Sequence, residues 1–340
     1  MSSSKFIVCS LNSELEKKYI NFAEKNFKRS GYQSNINYLK YLYDENPYTS
    51  GLSDCRIILK KIGDESEVVG CIHNINSKLY LSNKSHTSIK FSGIHNLMID
   101  KDNLGIGYRL MNDIIKQHQN FYVPGVVGDL NKFYSKIGAR QIQNKWLRKF
   151  IYPNIYQSVL RKKGLRVSES SLKKFSKNKL QIPGVTFHQQ RSTQLAKIIS
   201  SDIDSSDEPK LSLDYIFWRI FGNCNPDKQT FVITLDNDYA VFSIGCRKNI
   251  PILRLVYVNG KVLNNAKHLM DSIVAFARSF GMIGIFSTSD NSNVNYQLKL
   301  LKFKEIKQAP KSYIYSKDLN DAFSSHWPLM GDYGFDEFYK

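Results

Sequence analysis

No stretch of this chain approaches the roughly 18 uninterrupted apolar residues of a membrane-spanning helix, so no transmembrane segment is expected. The opening Met1-Ser2-Ser3-Ser4-Lys5-Phe6-Ile7-Val8-Cys9 has one charge and too short an apolar run for a secretory signal. We therefore expect a cytoplasmic protein. Cysteine is sparse: Cys9, Cys55, Cys71, Cys224 and Cys246 lie far apart and are odd in number. With no C-x-x-C pair and no Cys/His cluster at zinc spacing, neither a disulfide framework nor a metal site is expected. Reduced cysteines packed in cores fit a reducing compartment. Acidic residues are few beside basic ones, 30 against 48, a net charge of +18. That excess suits a polyanion (nucleic acid, an anionic membrane face or a phosphorylated cofactor) without choosing among them.

What is present points to two domains. The length of 340 residues, 42% hydrophobic content, 20 Tyr and 20 Phe are ample for two cores. The chain also repeats itself. Residues 38–47 and 217–226 each set aromatic and basic residues on a helix-like segment that stops at Asn-Pro, because proline disfavours helix in the residue before it. A hairpin follows each stop: strands at 55–61 and 67–72 around Gly63-Asp64, and at 230–235 and 239–244 around Asp236-Asn237-Asp238. Amphipathic helices are predicted over 108–119 and 266–279, with Leu110, Met111, Ile114 and Ile115 on one face of the first. Strands at 121–123 and 283–287 come next, and the halves close on similar runs at 134–139 and 298–303. The pattern predicts an α/β (α+β, mixed-sheet) fold in each half.

Between the halves, a joint carries Arg161, Lys162, Lys163, Arg166, Lys173, Lys174, Lys177 and Lys179 against one acid, Glu169. It reads either as a solvated connector or as a surface for RNA or acidic membrane. The tail from His326 to Tyr339 is acidic and aromatic in a basic protein. So many aromatics argue for docking, near the acceptor site where the domains meet, rather than disorder.

The most informative stretch is Leu97-Met98-Ile99-Asp100-Lys101-Asp102-Asn103-Leu104-Gly105-Ile106-Gly107, followed by a helix. A strand end, a short loop with two glycines and a helix start together make an anion site. The first amides of a helix have no internal partners, and its dipole is positive there. Glycine removes the Cβ that would hold a phosphate away. Alone, a G-x-G also fits an ordinary strand-to-helix turn.

The loop, the element order and the duplication resemble a tandem of two GNAT-type acyltransferase domains, over roughly residues 5–150 and 184–317. The resemblance implies two mostly antiparallel mixed sheets flanked by helices. It divides the chain into an N-terminal domain (1–151) with the acyl-CoA loop, a basic connector (152–183), a degenerate C-terminal domain (184–317) and the acidic-aromatic tail (318–340). That family's R/Q-x-x-G-x-G/A loop holds the pyrophosphate of an acyl-coenzyme A, acetyl-CoA or another. The matching positions are Asp102, Asn103, Leu104, Gly105, Ile106 and Gly107, with Asp102 a departure from Arg or Gln that adds repulsion. The strand before it, Leu97, Met98 and Ile99, is implied to border the cofactor, an amide near Leu97 or Met98 polarising the thioester carbonyl where the strand splays.

The family's aromatic-x-x-x-G-F run matches Tyr134 to Ala139 and implies Tyr134 as the acid for the leaving thiolate. A packing tyrosine at a helix end is the alternative. His95 is expected to alternate onto the same strand face as Leu97, and an imidazole in general suits proton transfer near neutral pH, which makes it the candidate base; a histidine packed in place is the other reading. His73, one strand earlier, is a second candidate, and Tyr38, Tyr41 and Tyr43 either line an acceptor site or pack on the sheet. In the second half Lys261, Asn264, Ala266 and Leu298 replace Asp102, Gly105, Gly107 and Tyr134, so that copy is expected to have lost the chemistry.

The implied activity is an N-acyltransferase, first of all an acetyltransferase, acting on a small amine. An amino sugar on a nucleotide carrier is one such amine, its diphosphate suiting the positive charge. Fem-type aminoacyltransferases also pair two such folds and use aminoacyl-tRNA, which the basic joint suits. A non-catalytic scaffold that inherited the fold is the third reading. The oligomeric state is left open.

Overall fold

The computed structural model describes residues 5–27, 32–82, 85–126, 128–142, 145–151, 183–204, 210–222, 229–247, 250–259, 263–279, 282–289, 292–307 and 310–317. The basic joint, save Pro183, and the tail at 318–340 lie outside the described residues.

The chain opens with β1 (Lys5–Ser10), α1 (Ser13–Asn26) and α2 (Ile36–Tyr43). The Asn12 side chain caps α1 by accepting from the Leu15 amide at 3.0 Å, and Glu14 and Glu16 complement the helix dipole. Asn35 caps α2 in the same way, accepting from Asn37 at 2.8 Å. Next come β2 (Cys55–Ile62), β3 (Glu65–Ser82) and β4 (Ser85–Ile99). The helix stop at Asn46 is tertiary as well as local, because its side-chain amide donates to the Asn76 carbonyl of β3 at 3.1 Å. The β3–β4 hairpin is far longer than the strand expected at 67–72. Its Asn and Ser residues read locally as loop, yet they pair across the sheet (Asn76 opposite Ser92).

After β4, α3 (Gly107–Gln117) buries Leu110, Met111 and Ile114, and β5 (Asn120–Val126) runs parallel to β4. Then come α4 (Leu130–Lys136), β6 (Arg140–Ile142) and β7 (Lys145–Phe150). The later part of the chain holds β8 (Thr186–His188), α5 (Thr193–Asp204), β9 (Lys210–Leu211), α6 (Leu213–Phe221), β10 (Gln229–Leu235), β11 (Asp238–Arg247) and β12 (Ile250–Val258). It ends with α7 (Leu263–Ser279), β13 (Gly284–Ser289), α8 (Ser292–Leu300), β14 (Lys304–Glu305) and β15 (Lys311–Ser316).

One sheet has the order β1-β2-β3-β4-β5-β15-β6, with β9 added to the far end of β3; the other runs β14-β7-β13-β12-β11-β10-β8. Both are mixed: β4–β5 and β12–β13 are parallel, their other pairings antiparallel. Two compact units result, but they do not follow the expected division at 152–183. Among the described residues, the first comprises those within 1–142, 208–218 and 311–317, the second those within 143–207 and 219–310. β7 leaves the first half to lie between β13 and β14, and β15 leaves the second to lie between β5 and β6. Both are short apolar–polar runs, and such a run does not encode which of two similar sheet gaps it fills.

Each sheet packs its own core. In the first unit Ile94, Leu97 and Ile99 of β4 meet Leu110, Met111 and Ile114 of α3 and Phe121 and Val123 of β5. In the second, Leu253 and Leu255 of β12 meet Leu269, Met270 and Ile273 of α7.

Candidate functional site

Strand β4 organises the first unit. Its parallel pairing with β5 consists of Ser92↔Phe121 and Gly93↔Tyr122, and stops there although β4 continues to Ile99. The two strands therefore part into a wedge beyond Gly93. On its other side β4 pairs Cys71↔Met98 and then His73↔His95, so Asn96 and Leu97 together oppose Ile72. This β-bulge re-aims the strand. Asn96 sits at its centre with φ +52, a left-handed conformation that asparagine tolerates better than most residues. Side chains clamp it: the Gln33 amide donates to Asn96 Oδ1 at 3.3 Å, and Asn96 Nδ2 donates to the Tyr38 hydroxyl at 3.1 Å.

His95 is half-buried at the wedge, its Nε2 3.4 Å from the Tyr122 hydroxyl. The rings meet edge to face at 5.8 Å. Tyr122 reaches His95 by crossing Gly93, where an added Cβ would lie 2.5 Å from its hydroxyl. Gly93 is thus required for this contact.

Leu97, Met98 and Ile99 are half-buried on the strand that ends in the glycine loop. Asp100 pins the loop, its Oδ1 accepting from the Asp102 amide at 3.1 Å and its Oδ2 pairing with Lys25 at 2.7 Å. The hydrogen bond from Lys25 holds the Asp100 carboxyl below the usual range. Asp102 itself is exposed. The two glycines serve different ends. Gly105 has φ +95, which side-chain-bearing residues rarely adopt. Gly107 opens α3, where a Cβ would press on Ile99 Cγ1 at 3.1 Å, so the missing side chain lets the helix start approach the strand end. No side chain caps α3. Asn103, Leu104 and Ile106 complete the loop, with Leu104 76% exposed. An uncapped helix start behind a glycine turn fits a diphosphate.

Tyr134 of α4 lies under this face. It is 1% exposed, stacked on Tyr313 of β15 at 5.5 Å, with its hydroxyl on Met111 Sδ at 3.5 Å. Burial pushes the phenol pKa up, so the group keeps its proton. To donate that proton to a thiolate, the contact with Met111 must open.

The remaining candidates, Tyr38, Tyr41, Tyr43 and His73, fare differently. Tyr38 adjoins the bulge through Asn96. Tyr41 does not reach the wedge; its ring stacks on Trp218 of α6 at 4.7 Å, and Trp218 Nε1 donates to its carbonyl. His73 is fully buried among Tyr19, Tyr38 and Tyr43, with ring centroids 5.8 to 6.1 Å away. The Tyr19 hydroxyl donates to the Gln33 carbonyl at 3.0 Å, so His73 Nε2 carries the proton and donates to Tyr19 at 2.8 Å. Nδ1 then has no partner among the described residues. Desolvation lowers the His73 pKa to about 3. Neutral and sealed, it holds the core of this face together.

His118, at the end of α3, is sealed too. Ser92 gives its hydroxyl proton to Asn76 Oδ1 at 2.7 Å, so His118 Nδ1–H donates to Ser92 at 2.9 Å and Nε2 accepts from Asn74 at 3.3 Å. Burial brings its pKa to about 4. The pair is structural rather than a nucleophile and its base, because every hydrogen is committed and both groups are buried.

Sequence reasoning missed Tyr122, Asn96, Gln33 and Tyr19. Gly93, two residues before His95, was a usable signal, since a glycine inside a strand marks a close approach. The others depend on which helices cover the sheet. Among the described residues no group of His, Cys, Asp and Glu could hold a metal ion, and Cys9, Cys55 and Cys71 are unbridged.

The second unit has a narrower version of this arrangement. β12 and β13 stay paired over four positions, Ile252↔Gly284 to Leu255↔Ser287. α7 begins at Leu263, so Asn264 and Ala266, which match Gly105 and Gly107, are inside a helix rather than in a loop. Ala266 and Leu298 are fully buried.

Two mixed sheets, each with a splayed parallel pair leading into a helix, define a tandem of GNAT-like folds. Solved structures agree. A GCN5-related N-acetyltransferase from Anabaena variabilis is 14% identical, with 91% of this chain and 72% of that one covered at a TM-score of 0.56. Saccharomyces cerevisiae N-myristoyltransferase, solved with bound myristoyl-CoA, is 13% identical, with 96% and 83% covered at 0.58. A putative acetyltransferase from Pyrococcus horikoshii is 10% identical, with 100% and 95% covered at 0.54. No protein-family model matches the sequence, and no curated protein matches it. The likeness is one of fold.

Proposed function

We propose that the first unit is an N-acyltransferase site that moves an acyl group, acetyl first of all, from acyl-coenzyme A to a small amine. The observation that carries this reading is the wedge between β4 and β5, which opens beyond Gly93↔Tyr122 and ends at the uncapped start of α3. Amides of the Gly105–Gly107 turn would hold the diphosphate, and β4 around Leu97 and Met98 would line the thioester. His95 takes the proton of the attacking amine. As the carbon–nitrogen bond forms and the carbon–sulfur bond breaks, Tyr134 supplies the proton for the sulfur. The amine's proton thus ends on the imidazole and the phenol's on the thiol, and each group returns to its starting state by exchange with water. Tyr38 borders the acceptor. An amino sugar is one such acceptor.

The test is calorimetric titration with coenzyme A and incubation with radiolabelled acetyl-CoA over a panel of amines. Binding that is lost in Gly105→Val, together with label transfer to an amine, is expected. No binding and no transfer by the unaltered protein would sink the proposal.

A further inference from the structure

The narrow end of the wedge between β4 and β5 is filled on both faces of the sheet. From Gly93 to His95 the register against β3 is unbroken, so Gly93 and His95 share one face and Ile94 lies on the other. On the Gly93 face the Tyr122 ring lies across the glycine. A Cβ there would meet the ring hydroxyl at 2.5 Å, Cζ at 2.6 Å and Cε1 at 2.7 Å. Behind it Phe91, two residues earlier on the same face, stacks on Tyr122 at 5.9 Å with the ring planes 7° apart. Tyr122 and Phe91 are both buried. On the opposite face Ile94 and Phe121 are buried in the core that α3 covers.

The wedge therefore opens in one direction along β4, toward Leu97 and the glycine turn. The Tyr122 hydroxyl marks its floor, because it reaches as far as His95 Nε2, 3.4 Å away. Leu97, whose amide lies where the thioester is placed, is two residues beyond His95. Two residues of strand span roughly 7 Å. An acetyl, propionyl or butyryl group fits that length, and an extended fatty chain does not. The floor is also firm. A ring stacked on a second buried ring swings aside only by opening a close-packed core.

We propose that Tyr122, backed by Phe91, sets the length of the acyl group that the first unit takes from coenzyme A and restricts the donor to short-chain acyl thioesters. The inference rests on the acyl-transfer reading, whose thioester position it uses. The ring rather than the hydroxyl does the excluding, so phenylalanine at this position keeps the limit and a small residue removes it.

The experiment is calorimetric titration of the full chain with free coenzyme A and with its acetyl, butyryl and octanoyl thioesters. An open channel would reward each added methylene by about fourfold in affinity. Wild type is expected to bind octanoyl-CoA no tighter than butyryl-CoA, and Tyr122→Phe likewise. Tyr122→Val should bind octanoyl-CoA at least about tenfold tighter than butyryl-CoA, from a few newly buried methylenes. Phe91→Leu should show a smaller gain of the same kind, and it carries the test if Tyr122→Val does not fold. A protein that binds no form of coenzyme A removes the acyl-transfer reading and this inference with it. If coenzyme A binds but wild type already favours the octanoyl thioester by that margin, or a folded Tyr122→Val gains nothing for it, only the chain-length inference is overturned.

Discussion

The two units share a fold and differ at the point where a GNAT-like sheet opens. In the first, β4 leaves β5 after Gly93 and runs six more residues to the glycine turn. In the second, pairing persists to Leu255 and three strand residues remain. With Ala266 matched to Gly107, α7 begins about one turn earlier than α3, at Leu263. The difference comes from a few side chains. Gly105 adopts a left-handed turn, whereas Asn264 at the matching position is helical, because asparagine has an ordinary helical preference and glycine does not. One copy thus keeps a glycine turn before its helix, and the other buries Ala266 inside the helix at the matching position.

That contrast can be broken in four ways, taken from the largest effect down. His95→Ala should lower turnover by at least about a hundredfold, the scale of a lost general base, with coenzyme A affinity unchanged. The matching position, Tyr257, lies two residues past the last parallel pair, and its hydroxyl donates to Asp202 at 3.1 Å. Tyr257→Phe should cost stability and leave turnover alone. Steady-state kinetics and a thermal melt separate the two outcomes.

Acid should loosen the first unit before the second. Both His73 and His118 have folded pKa values, about 3 and about 4, below the 6.5 of the unfolded chain. The unfolded chain therefore binds more protons between those values. Stability is full above pH 6.5 and falls as the pH drops toward 4, by up to about 1.4 kcal/mol per pH unit for each histidine. Depression of Asp100 acts in the same direction, at lower pH. In the second unit the buried His188 is shifted the same way. Mapped pepsin digestion at falling pH should cut the first unit earlier; simultaneous cutting would count against the assigned burial.

Asn96→Ala should destabilise the protein by about 2 kcal/mol, from a left-handed backbone without asparagine's tolerance and two lost hydrogen bonds. Asn96→Gly should recover part of that, since it relieves the backbone alone. Denaturant titration reads both. The smallest effect is expected from Ala266→Gly, about 1 kcal/mol of helix destabilisation with no gain of coenzyme A binding. A gain would mean that a glycine alone reopens the second cleft.

Much of the fold was legible because its signals are short-range. The hairpin at Asp236-Asn237 appears as expected, with Asp236 at φ +54. The amphipathic helix with Leu110 and Met111 starts within a residue of its expected position, while the second begins three residues early, at Leu263 rather than Ala266. The β3–β4 hairpin extends past its local signal because its buried Asn74 and Asn76 find their hydrogen-bond partners only in residues distant in sequence. Of the candidate site residues, the loop can be read from glycine placement, whereas the bulge at Asn96 breaks the alternation expected to put His95 and Leu97 on one face, and Leu97 packs in the core with Ile94. His73 and Tyr41 have the same composition signature, yet both are packed away.

The sequence by itself determined where helices and strands form, where the chain turns, and that one half carries a glycine loop the other lacks. These follow from backbone sterics and from periodicity over a few residues. Only the tertiary structure decided that β7 and β15 would trade sheets, that β4 would bulge at Asn96, and that Tyr134 would face Met111. Each depends on which distant surfaces meet, and a short apolar run fits more than one gap until the whole core chooses.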